Sequence, residues 1–326
     1  MKLETSKINS EITNSPLEPE KSNNSPLVTV NILSFNRKDE LRNTLTKVYE
    51  QDYKNIEVIV VDNASLDGSP EMVEQEFPDV ILIQMQKNIG IAGWNEGFKI
   101  AKGEYVLVLD DDSYPENDTI FSGVKIMCEK AQIAVVGFQI YNHALDIIEN
   151  DEEKYKFSIL SKSKGFIGCG ALINSKVTKE LRGFNDLIFL YHHEYEFSAR
   201  VYNIGYEVVY ASHKRVIHGY STFNRNHKQI HGKLIDNRRY YYGFLSYTVF
   251  LFYNFNIFIA SIVFVKLLVS NFLIAIKLNY YPAYIKAILN ILIIIFKCLI
   301  DRKPLKKDIQ KYYNYGNFKF YNTRVF

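Results

Sequence analysis

The stretch YVLVLDDD, residues 105–112, decides the fold class of this chain. Its first five residues are apolar, as in a strand that is covered on both faces of a sheet. The strand runs directly into Asp110, Asp111 and Asp112. Because ligands of open α/β sheets bind at the carboxyl ends of the strands, three carboxylates in this position indicate a functional site.

Strands and helices alternate on both sides of this stretch. Short apolar runs rich in β-branched residues predict strands over about 28–33, 56–61, 80–85 and 133–138. The segments between them predict helices over about 38–49, 70–76, 92–101 and 116–130. This order predicts an α/β fold, with an open and mostly parallel sheet that carries helices on both faces.

The aspartate triplet has the chemistry of a cation site. Side chains alternate along extended backbone, so Asp110 and Asp112 are expected to converge while Asp111 points away, unless a bend redistributes them. Carboxylate oxygens suit Mg²⁺ or Mn²⁺, which keep positions open for substrate phosphates. The alternative is a solvated acidic turn. It is disfavoured because the mutual repulsion of three carboxylates beside a buried strand costs stability unless a cation relieves it.

Two further motifs precede the triplet. Asp62 closes the second predicted strand, and it either hydrogen-bonds the edge of a nucleobase or caps the turn that follows. Residues 88–97 place three glycines and two asparagines before and into a helix, where glycine permits close approach of the backbone to a ligand. The spacing of these glycines is not that of a dinucleotide-binding loop.

Taken in order, these motifs resemble glycosyltransferase family 2. They read SFNR at 34–37, EVIVVDNAS at 57–65, DGS at 67–69, NxGxAGxNxG at 88–97 and GEYVLVLDDD at 103–112. The resemblance covers about residues 28–218, and it is nearest to the bacterial rhamnosyl- and galactofuranosyltransferase-type enzymes. It implies a GT-A fold and an inverting transfer from a nucleoside-diphosphate sugar, with Mg²⁺ or Mn²⁺ as cofactor.

Carried over to this chain, the resemblance implies roles for particular residues. The donor nucleotide is expected to contact Ser34, Phe35, Asn36, Arg37, Asp62, Asn88, Gly93, Asn95, Asp110 and Asp111. Within this set, the turn at Ser34–Asn36 and Asp62 hold the nucleobase, and Arg37 either contacts the nucleotide or caps the helix. The metal is expected to bind Asp112, the best candidate, together with Asp110 and His218.

The catalytic base is expected in HEYEFSAR, residues 193–200. The family carries an acidic pair here, and Glu194 stands where its Asp base usually lies while His193 stands in place of a Glu. One carboxylate must take the proton from the acceptor hydroxyl as it attacks, and Glu194 suits this role. Glu196 lies four residues before Arg200, which favours an ion pair along the helix. His193 either tunes the site or lies on the surface.

The remaining sequence predicts a division into three parts: a disordered leader over residues 1–26, a GT-A catalytic domain over 27–240, and an apolar, basic, helical region over 241–326. No secretory signal opens the chain, and the three scattered cysteines are typical of reduced thiols, so the catalytic part is expected to face the cytosol. A net charge of +3 without a Lys/Arg tract argues against a nucleic-acid partner.

The C-terminal region contains two apolar runs, Phe244 to Val265 and Ala287 to Phe296. A spanning hairpin, helices lying in the membrane interface, and a helical platform on the catalytic domain are the alternatives. Arginine and lysine residues before the first run and after the second would suit a spanning hairpin, but Lys266, Lys277 and Lys286 lie between the runs, which weakens spanning and favours in-plane helices on anionic lipid. This places the protein at the cytoplasmic face of the cell membrane.

These features predict an inverting, metal-dependent glycosyltransferase in cell-surface polysaccharide synthesis. Its donor is a nucleoside-diphosphate sugar, and its acceptor is a hydroxyl of a saccharide or of a lipid-linked oligosaccharide. A nucleotidyl transferase of similar fold would carry a basic, Gly-rich loop after the first strand, where SFN stands here. A catalytically silent donor-binding or scaffold protein would have lost the acidic residues, which this chain retains.

Overall fold

The computed structural model describes residues 25–149, 159–219 and 237–313. All but the last two residues of the expected leader lie outside this part of the chain. The strands that the structure describes form one mixed sheet. They are β1 (Val28–Ser34), β2 (Ile56–Asp62), β3 (Ile81–Gln84), β4 (Tyr105–Asp110), β5 (Ser113–Pro115), β6 (Ile133–Asn142), β7 (Ile147–Ile148), β8 (Leu160–Lys162), β9 (Ala171–Asn174) and β10 (Glu207–His218).

The helices fill the intervals between these strands and continue beyond them. They are α1 (Lys38–Tyr49), α2 (Ser69–Glu76), α3 (Trp94–Ile100), α4 (Thr119–Glu129), α5 (Ser175–Leu181), α6 (His193–Asn203), α7 (Asn237–Asn254), α8 (Ile257–Leu278), α9 (Tyr281–Asp301) and α10 (Lys307–Tyr312), with a 3₁₀ turn at Gly90–Gly93 before α3. The alternation predicted between residues 28 and 138 is confirmed, with bounds shifted by a few residues.

The central path of the sheet has the order β3-β2-β1-β4-β9-β6-β10-β5. Neighbours among β3, β2, β1 and β4 pair in parallel, as do β6 and β10. The strand β9 lies antiparallel between β4 and β6, so the six strands β1, β2, β3, β4, β6 and β10 all run in one direction. This is the open, mostly parallel sheet that the sequence predicts.

Apolar side chains cover both faces of the sheet. Along β2, Val58 and Val60 join the hydrophobic cluster beneath α1 and α2, whereas Ile59 and Val61 join the cluster with α3. Alternation along the strand therefore sends successive apolar residues to opposite faces, which is why the strand contains almost no polar residue.

The six parallel strands all end at one edge, which we call the carboxyl edge. Their last residues are Ser34, Asp62, Gln84, Asp110, Asn142 and His218. Ser34 pairs with Asp62 in register, Leu33 pairs with Asp110, and His218 pairs with both Asn142 and Ser113. Polar residues that are distant in sequence are thus brought together at this edge.

The C-terminal helices divide into two kinds. α7 is mostly buried and packs on the catalytic part, where Ser246 Oγ donates to the Leu190 carbonyl at 2.7 Å and Asn254 Nδ2 donates to Glu196 Oε1 at 3.3 Å. The boundary expected at residue 240 therefore falls inside a helix that shares the hydrophobic core. Of the three alternatives for the C-terminal region, the helical platform on the catalytic domain is the one that fits α7.

α8 and α9 form a hairpin that packs on α7. Tyr284 of α9 donates to the Leu268 carbonyl of α8 at 3.4 Å, and the backbone N–H of Lys303 returns to the Tyr253 carbonyl at 3.2 Å. Both helices are long and apolar enough to cross a membrane, with mean hydropathies of 2.4 and 2.2. Their outward faces expose large apolar side chains, such as Phe258 at 71% and Leu292 at 68%.

The uncharged run from residue 244 to 265 has about the length of a bilayer span, but it does not form one continuous helix. It is divided between α7 and α8 at Phe255 and Asn256. The Asn256 side chain accepts a hydrogen bond from the Phe258 N–H at 3.0 Å and so begins a new helix. The division arises because an asparagine satisfies the free N–H groups of a helix start better than it continues a helix.

Candidate active site

Asp111 holds the loop after β1 against the carboxyl edge. Its carboxylate accepts hydrogen bonds from the Phe35 backbone N–H and from Arg37 Nη1, both at 3.0 Å, and Thr44 donates to its carbonyl at 2.9 Å. β4 ends at Asp110, so the strand alternation stops there and the chain bends. The expectation that Asp111 points away is therefore wrong, and the bend is the alternative that the structure adopts.

Arg37 bridges two members of the triplet. Its Nη1 bonds to the carboxylates of both Asp111 and Asp112. Burial lowers the pKa of Arg37, but the two carboxylates raise it more, so the guanidinium stays charged. Arg37 stands at the N-cap of α1 without a side-chain capping bond, so the helix-capping alternative does not hold for its side chain.

Ser34, Asn36 and Asp62 connect the loops after β1 and β2. Asp62 Oδ2 accepts the Ser65 N–H at 2.8 Å, which is the capping contact expected for the following turn. Asn36, with φ of 53°, accepts the Leu66 N–H at 2.7 Å. Asp62 Oδ1 and Ser34 Oγ are buried without a hydrogen-bond partner among the residues that the structure describes. Two buried oxygens without partners fit a bound polar ligand, because such groups are costly when unpaired.

The glycine-rich segment before α3 makes its close contacts within the protein. A Cβ on Gly93 would lie 2.4 Å from Cδ1 of Leu33, so glycine lets the helix start approach β1. Asn95 donates to the Phe184 carbonyl at 2.9 Å and accepts its N–H at 2.8 Å. The Asn88 side-chain oxygen accepts a hydrogen bond from the Gly90 N–H at 2.8 Å, within the same turn. Gly93 and Asn95 thus pack the core, where the sequence led us to expect contacts with the donor.

His218 lies between two carboxylates at the carboxyl edge. Its Nδ1 lies 2.9 Å from Glu149 Oε1, and its Nε2 lies 3.3 Å from Asp112 Oδ1. Asn142 donates to the same Glu149 oxygen at 2.7 Å and fixes that carboxylate. Burial lowers the pKa of His218, but the bonds to Asp112 and Glu149 raise it well above its usual value. Glu149 was not predicted, because it follows β7 in a segment without a recognisable motif.

This arrangement fits a divalent cation. A metal-binding histidine generally donates its second ring N–H to a carboxylate, as Nδ1 of His218 can to Glu149, which leaves Nε2 for the ion. Burial, followed by repulsion from Asp112, raises the pKa of Asp110 to about 6, so the clustered carboxylates gain from a cation. Asp110, Asp112 and His218, the residues that the sequence predicts as ligands, lie where they would hold it.

Glu194 lies in the first turn of α6, beside the loop that leads to β9. Its Oε1 accepts the Gly168 N–H at 3.3 Å, and a Cβ on Gly168 would meet that oxygen at 3.4 Å and His193 Nε2 at 2.7 Å. Glycine therefore allows the loop to pass close to the carboxylate. Burial raises the pKa of Glu194 to about 7, near the value at which a general base works best.

The chain is strained where it delivers Glu194. Tyr191 and His192, directly before α6, have φ of 66° and 60°, in the left-handed region that non-glycine residues seldom adopt. Such strain is maintained only where the surroundings hold it, and it concentrates at functional sites. His193 is 5% exposed between Trp94 and Phe184, and burial lowers its pKa to about 3. The surface alternative for His193 is therefore wrong, and its imidazole is neutral.

Glu196 and Arg200 form a buried ion pair, as their spacing predicts. Arg200 Nη2 lies 2.8 Å from Glu196 Oε2, and the Glu196 side chain is fully buried. Arg200 also donates to the carbonyls of Leu181 at 2.8 Å and Gly183 at 2.9 Å. Glu196 therefore has a structural role: through Arg200 it links α6 to the segment after α5.

Glu196→Gln is expected to destabilise the protein by about 3 kcal/mol, because it leaves a buried guanidinium without its counter-charge. Urea unfolding measures the free energy of unfolding for this variant and the parent. Glu96→Gln is the matched control, since Glu96 pairs with Lys99 at 2.7 Å on the surface and its loss should change stability little. Equal stability of the two variants would show that the buried pair does not hold α6.

The fold and the site together define a class of protein: a GT-A enzyme domain, with acidic and other polar side chains gathered at the carboxyl edge. Residues 29–182 match the sequence profile of the family described as Glycosyl transferase family 2.

Curated relatives support the family from partial matches. Glycosyltransferase GlyA of Streptococcus pneumoniae is 31% identical over 164 residues, which cover 48% of this chain and 23% of GlyA. The Escherichia coli enzyme WfaP, a UDP-Glc:α-D-GlcNAc-diphosphoundecaprenol β-1,3-glucosyltransferase, is 37% identical over 91 residues, covering 27% of this chain and 36% of WfaP. The chain thus spans less than half the length of each of these two relatives.

Solved structures support the fold over a larger part of the chain. Staphylococcus aureus TarS 1–349 in complex with UDP-GlcNAc aligns with a TM-score of 0.58 at 17% identity, covering 82% of this chain and 81% of that one. The mannosyltransferase PcManGT of Pyrobaculum calidifontis, in complex with GDP-Man and Mn²⁺, aligns with a TM-score of 0.50 at 21% identity, covering 85% and 72%. The GT-A fold expected from the sequence is confirmed.

Proposed function

We propose that this protein transfers a sugar from a nucleoside-diphosphate sugar to a hydroxyl of a saccharide or of a lipid-linked oligosaccharide, with inversion at the anomeric carbon. The observation that carries the proposal is the position of Glu194. It is a buried carboxylic acid with a pKa of about 7 that accepts the Gly168 N–H, and the next residue, Cys169, has its sulfur within 4.8 Å of ligand atoms of Asp110 and His218 at the carboxyl edge. The charge of Glu194 contributes to the raised pKa of Asp110, which supports their proximity.

The donor nucleotide is proposed to bind where the loops after β1 and β2 meet. The buried, unpartnered oxygens of Asp62 and Ser34 offer acceptors for the polar edge of a nucleobase. Phe35 is 40% exposed in the same loop and offers a ring on which a base can stack. Asp111 and Arg37 position this loop, so they act on the donor through it.

The diphosphate is proposed to lie at Asp110, Asp112 and His218, together with Mg²⁺ or Mn²⁺. The bound ion supplies positive charge that stabilises the departing diphosphate. The structure of PcManGT, which is similar in fold, is a complex with GDP-Man and Mn²⁺, and this supports the choice of ion.

The proposed reaction is a single displacement. The acceptor oxygen attacks the anomeric carbon, the bond from that carbon to the diphosphate oxygen breaks, and the hydroxyl proton passes to the Glu194 carboxylate. Because one attack occurs on the face opposite the leaving group, the configuration inverts. The neutral His193, with Nδ1 at 3.2 Å from Glu194 Oε2, adds no positive charge that would hold Glu194 ionised. Glu194 therefore keeps the raised pKa that a proton acceptor needs.

We further propose that the α8–α9 hairpin lies in the plane of the membrane interface. Lys266 and Lys277 are three turns apart on α8, as Lys286 and Lys297 are on α9, and all four are exposed. At 100° per residue, each pair borders the outward apolar stripe of its helix. Lysines at that border reach anionic headgroups while the stripe enters the lipid. In a spanning hairpin, Lys266 would lie near the bilayer centre, which is costly.

Membrane binding tests the orientation of the hairpin. Replacing Leu289 and Leu292, which are 64% and 68% exposed on α9, by Glu is expected to weaken flotation with phosphatidylglycerol-containing vesicles by at least about tenfold. The matched control replaces Ile147 and Ile159, which are 45% and 51% exposed on the catalytic part. Equal loss in both double variants, or no loss in either, would contradict a membrane role for the hairpin. Resistance of the parent to alkaline extraction would instead favour spanning.

A screen of donors tests the proposed activity. Purified protein with Mn²⁺ is incubated with UDP-hexoses, UDP-galactofuranose, dTDP-rhamnose and GDP-mannose, and release of nucleoside diphosphate is measured with and without lipid-linked acceptors. We expect release from one donor, increased by an acceptor and abolished by EDTA. Binding without release in every combination would instead support the silent, donor-binding alternative.

A further inference from the structure

Three side chains of different chemistry meet at the carboxyl edge. Asp110, Cys169 and His218 each offer one ligand atom, and these atoms all lie within 4.8 Å of one another. Cys169 is 2% exposed and is not in a disulfide. The sequence-based ligand set contained no thiol, because the three cysteines have no metal-binding spacing.

The backbone holds Cys169 in this position. The Gly170 N–H bonds to the Ile167 carbonyl at 3.1 Å, and the Gly170 carbonyl accepts the Phe138 N–H at 3.1 Å. A Cβ on Gly170 would lie 2.6 Å from Ile140 and 3.0 Å from Val216, so the loop is pressed against β6 and β10. The thiol therefore has little freedom to leave the edge.

His218 is similarly oriented toward the cluster. Glu149 and its own partner Asn142 hold Nδ1 of the ring, so Nε2 is the atom that faces the triplet. An imidazole oriented by a carboxylate is the usual form of a metal-binding histidine. The cluster thus combines a fixed nitrogen, a fixed sulfur and a carboxylate oxygen.

We propose that Cys169 is a ligand of the cation at this edge, and that Asp110, Cys169 and His218 bind Zn²⁺ or Cd²⁺ more tightly than an oxygen-lined site of this kind would. Oxygen, nitrogen and thiolate ligands together are typical of Zn²⁺, whereas Mn²⁺ and Mg²⁺ favour oxygen. On coordination the sulfur–metal bond forms and the thiol proton is released to solvent. Zn²⁺ is then expected to compete with Mn²⁺.

This inference concerns the cation site of the proposed function, but it is tested by metal binding alone. Two proteins are compared: a Cys128→Ser/Cys298→Ala variant that keeps only Cys169, and the same protein with Cys169→Ser. The probe is Cd²⁺ itself, followed by the ultraviolet charge-transfer absorption of a Cd²⁺–thiolate bond, with affinities from calorimetry. Circular dichroism and the melting temperature establish that each protein is folded.

We expect one equivalent of Cd²⁺ to produce the absorption in the first protein and not in the second. The Cd²⁺ affinity should fall by at least about tenfold with Cys169→Ser, and the Mn²⁺ affinity should fall by less. Absence of the absorption from the folded Cys169-only protein would overturn the proposal without any reference to the serine variant. Equal losses for Cd²⁺ and Mn²⁺ would also contradict it. Transfer activity of the parent with Mn²⁺ is independent of all these outcomes, so failure here leaves the proposed function standing.

Discussion

Glu194→Gln is expected to lower the rate of sugar transfer by at least about a hundredfold and to leave the affinity for the donor unchanged. The amide keeps the size of the side chain and can still bond to the Gly168 N–H, but it cannot accept the acceptor proton. Turnover with saturating donor and calorimetric affinity for the nucleotide sugar, measured on the same preparation, separate these two effects. A Gln variant that transfers at the parent rate would remove Glu194 as the base.

If Glu194 is the base, the transfer activity of the parent protein should change with pH in a known direction. Burial raises the pKa of Glu194 to about 7, so the carboxyl is protonated and inactive below that pH. The value of kcat/KM should therefore rise as pH increases through about 7 and then level off. A profile that falls across this interval would indicate that a group acting in its protonated form limits the reaction.

Asp112→Asn is expected to reduce transfer by at least about a hundredfold and to remove the effect of Mn²⁺ on nucleotide affinity. The Asp112 carboxylate lies 3.3 Å from His218 Nε2 and also bonds to Arg37, so its charge is shared between the cation site and the loop after β1. The amide retains the shape of the side chain but is a much weaker ligand for a hard cation. Calorimetry with nucleoside diphosphate, in Mn²⁺ and in EDTA, measures the effect.

Asp118→Asn is the matched control for this variant. The Asp118 side chain is 55% exposed and pairs with Lys214 at 2.6 Å, so the same chemical change occurs away from the carboxyl edge. Nucleotide affinity and transfer should be those of the parent. If Asp112→Asn behaves like this control, the acidic triplet does not bind the cation.

The features that the sequence predicts well are those that depend on local periodicity. The strand ending in Asp110 is apolar because both faces of the sheet are covered, and the strand–turn–helix alternation repeats around it. Because these strands are parallel, a residue that follows the end of a strand is expected at the carboxyl edge of the sheet. The location of Asp62, Asp110 and His218 at one edge follows from that rule and the order of the motifs.

Other features depend on contacts between distant segments. Asp111 turns toward Arg37 because β4 stops one residue earlier, which residue type alone does not reveal. His193 is buried between Trp94 and Phe184, which come from separate segments. β9 enters the sheet antiparallel, and only its pairing with β4 and β6 places Cys169 beside Asp110.

The glycine-rich segment shows how one pattern serves two purposes. Glycine allows close approach of any group, and at Gly93 the group that approaches is Leu33 rather than a ligand. Asn95 likewise bonds to the Phe184 backbone. A glycine that allows close packing of the core and a glycine that leaves room for a donor therefore look the same in the sequence.

The central claim is that the carboxyl edge binds a nucleoside diphosphate together with a divalent cation, and a titration tests it most directly. The unmodified protein is titrated with UDP, GDP and dTDP in turn, first in Mn²⁺ and then in EDTA, by calorimetry. We predict that at least one of the three binds, with an affinity at least about tenfold higher in Mn²⁺. Failure of all three to bind, or equal affinity with and without the cation, would contradict the assignment of Asp110, Asp112 and His218.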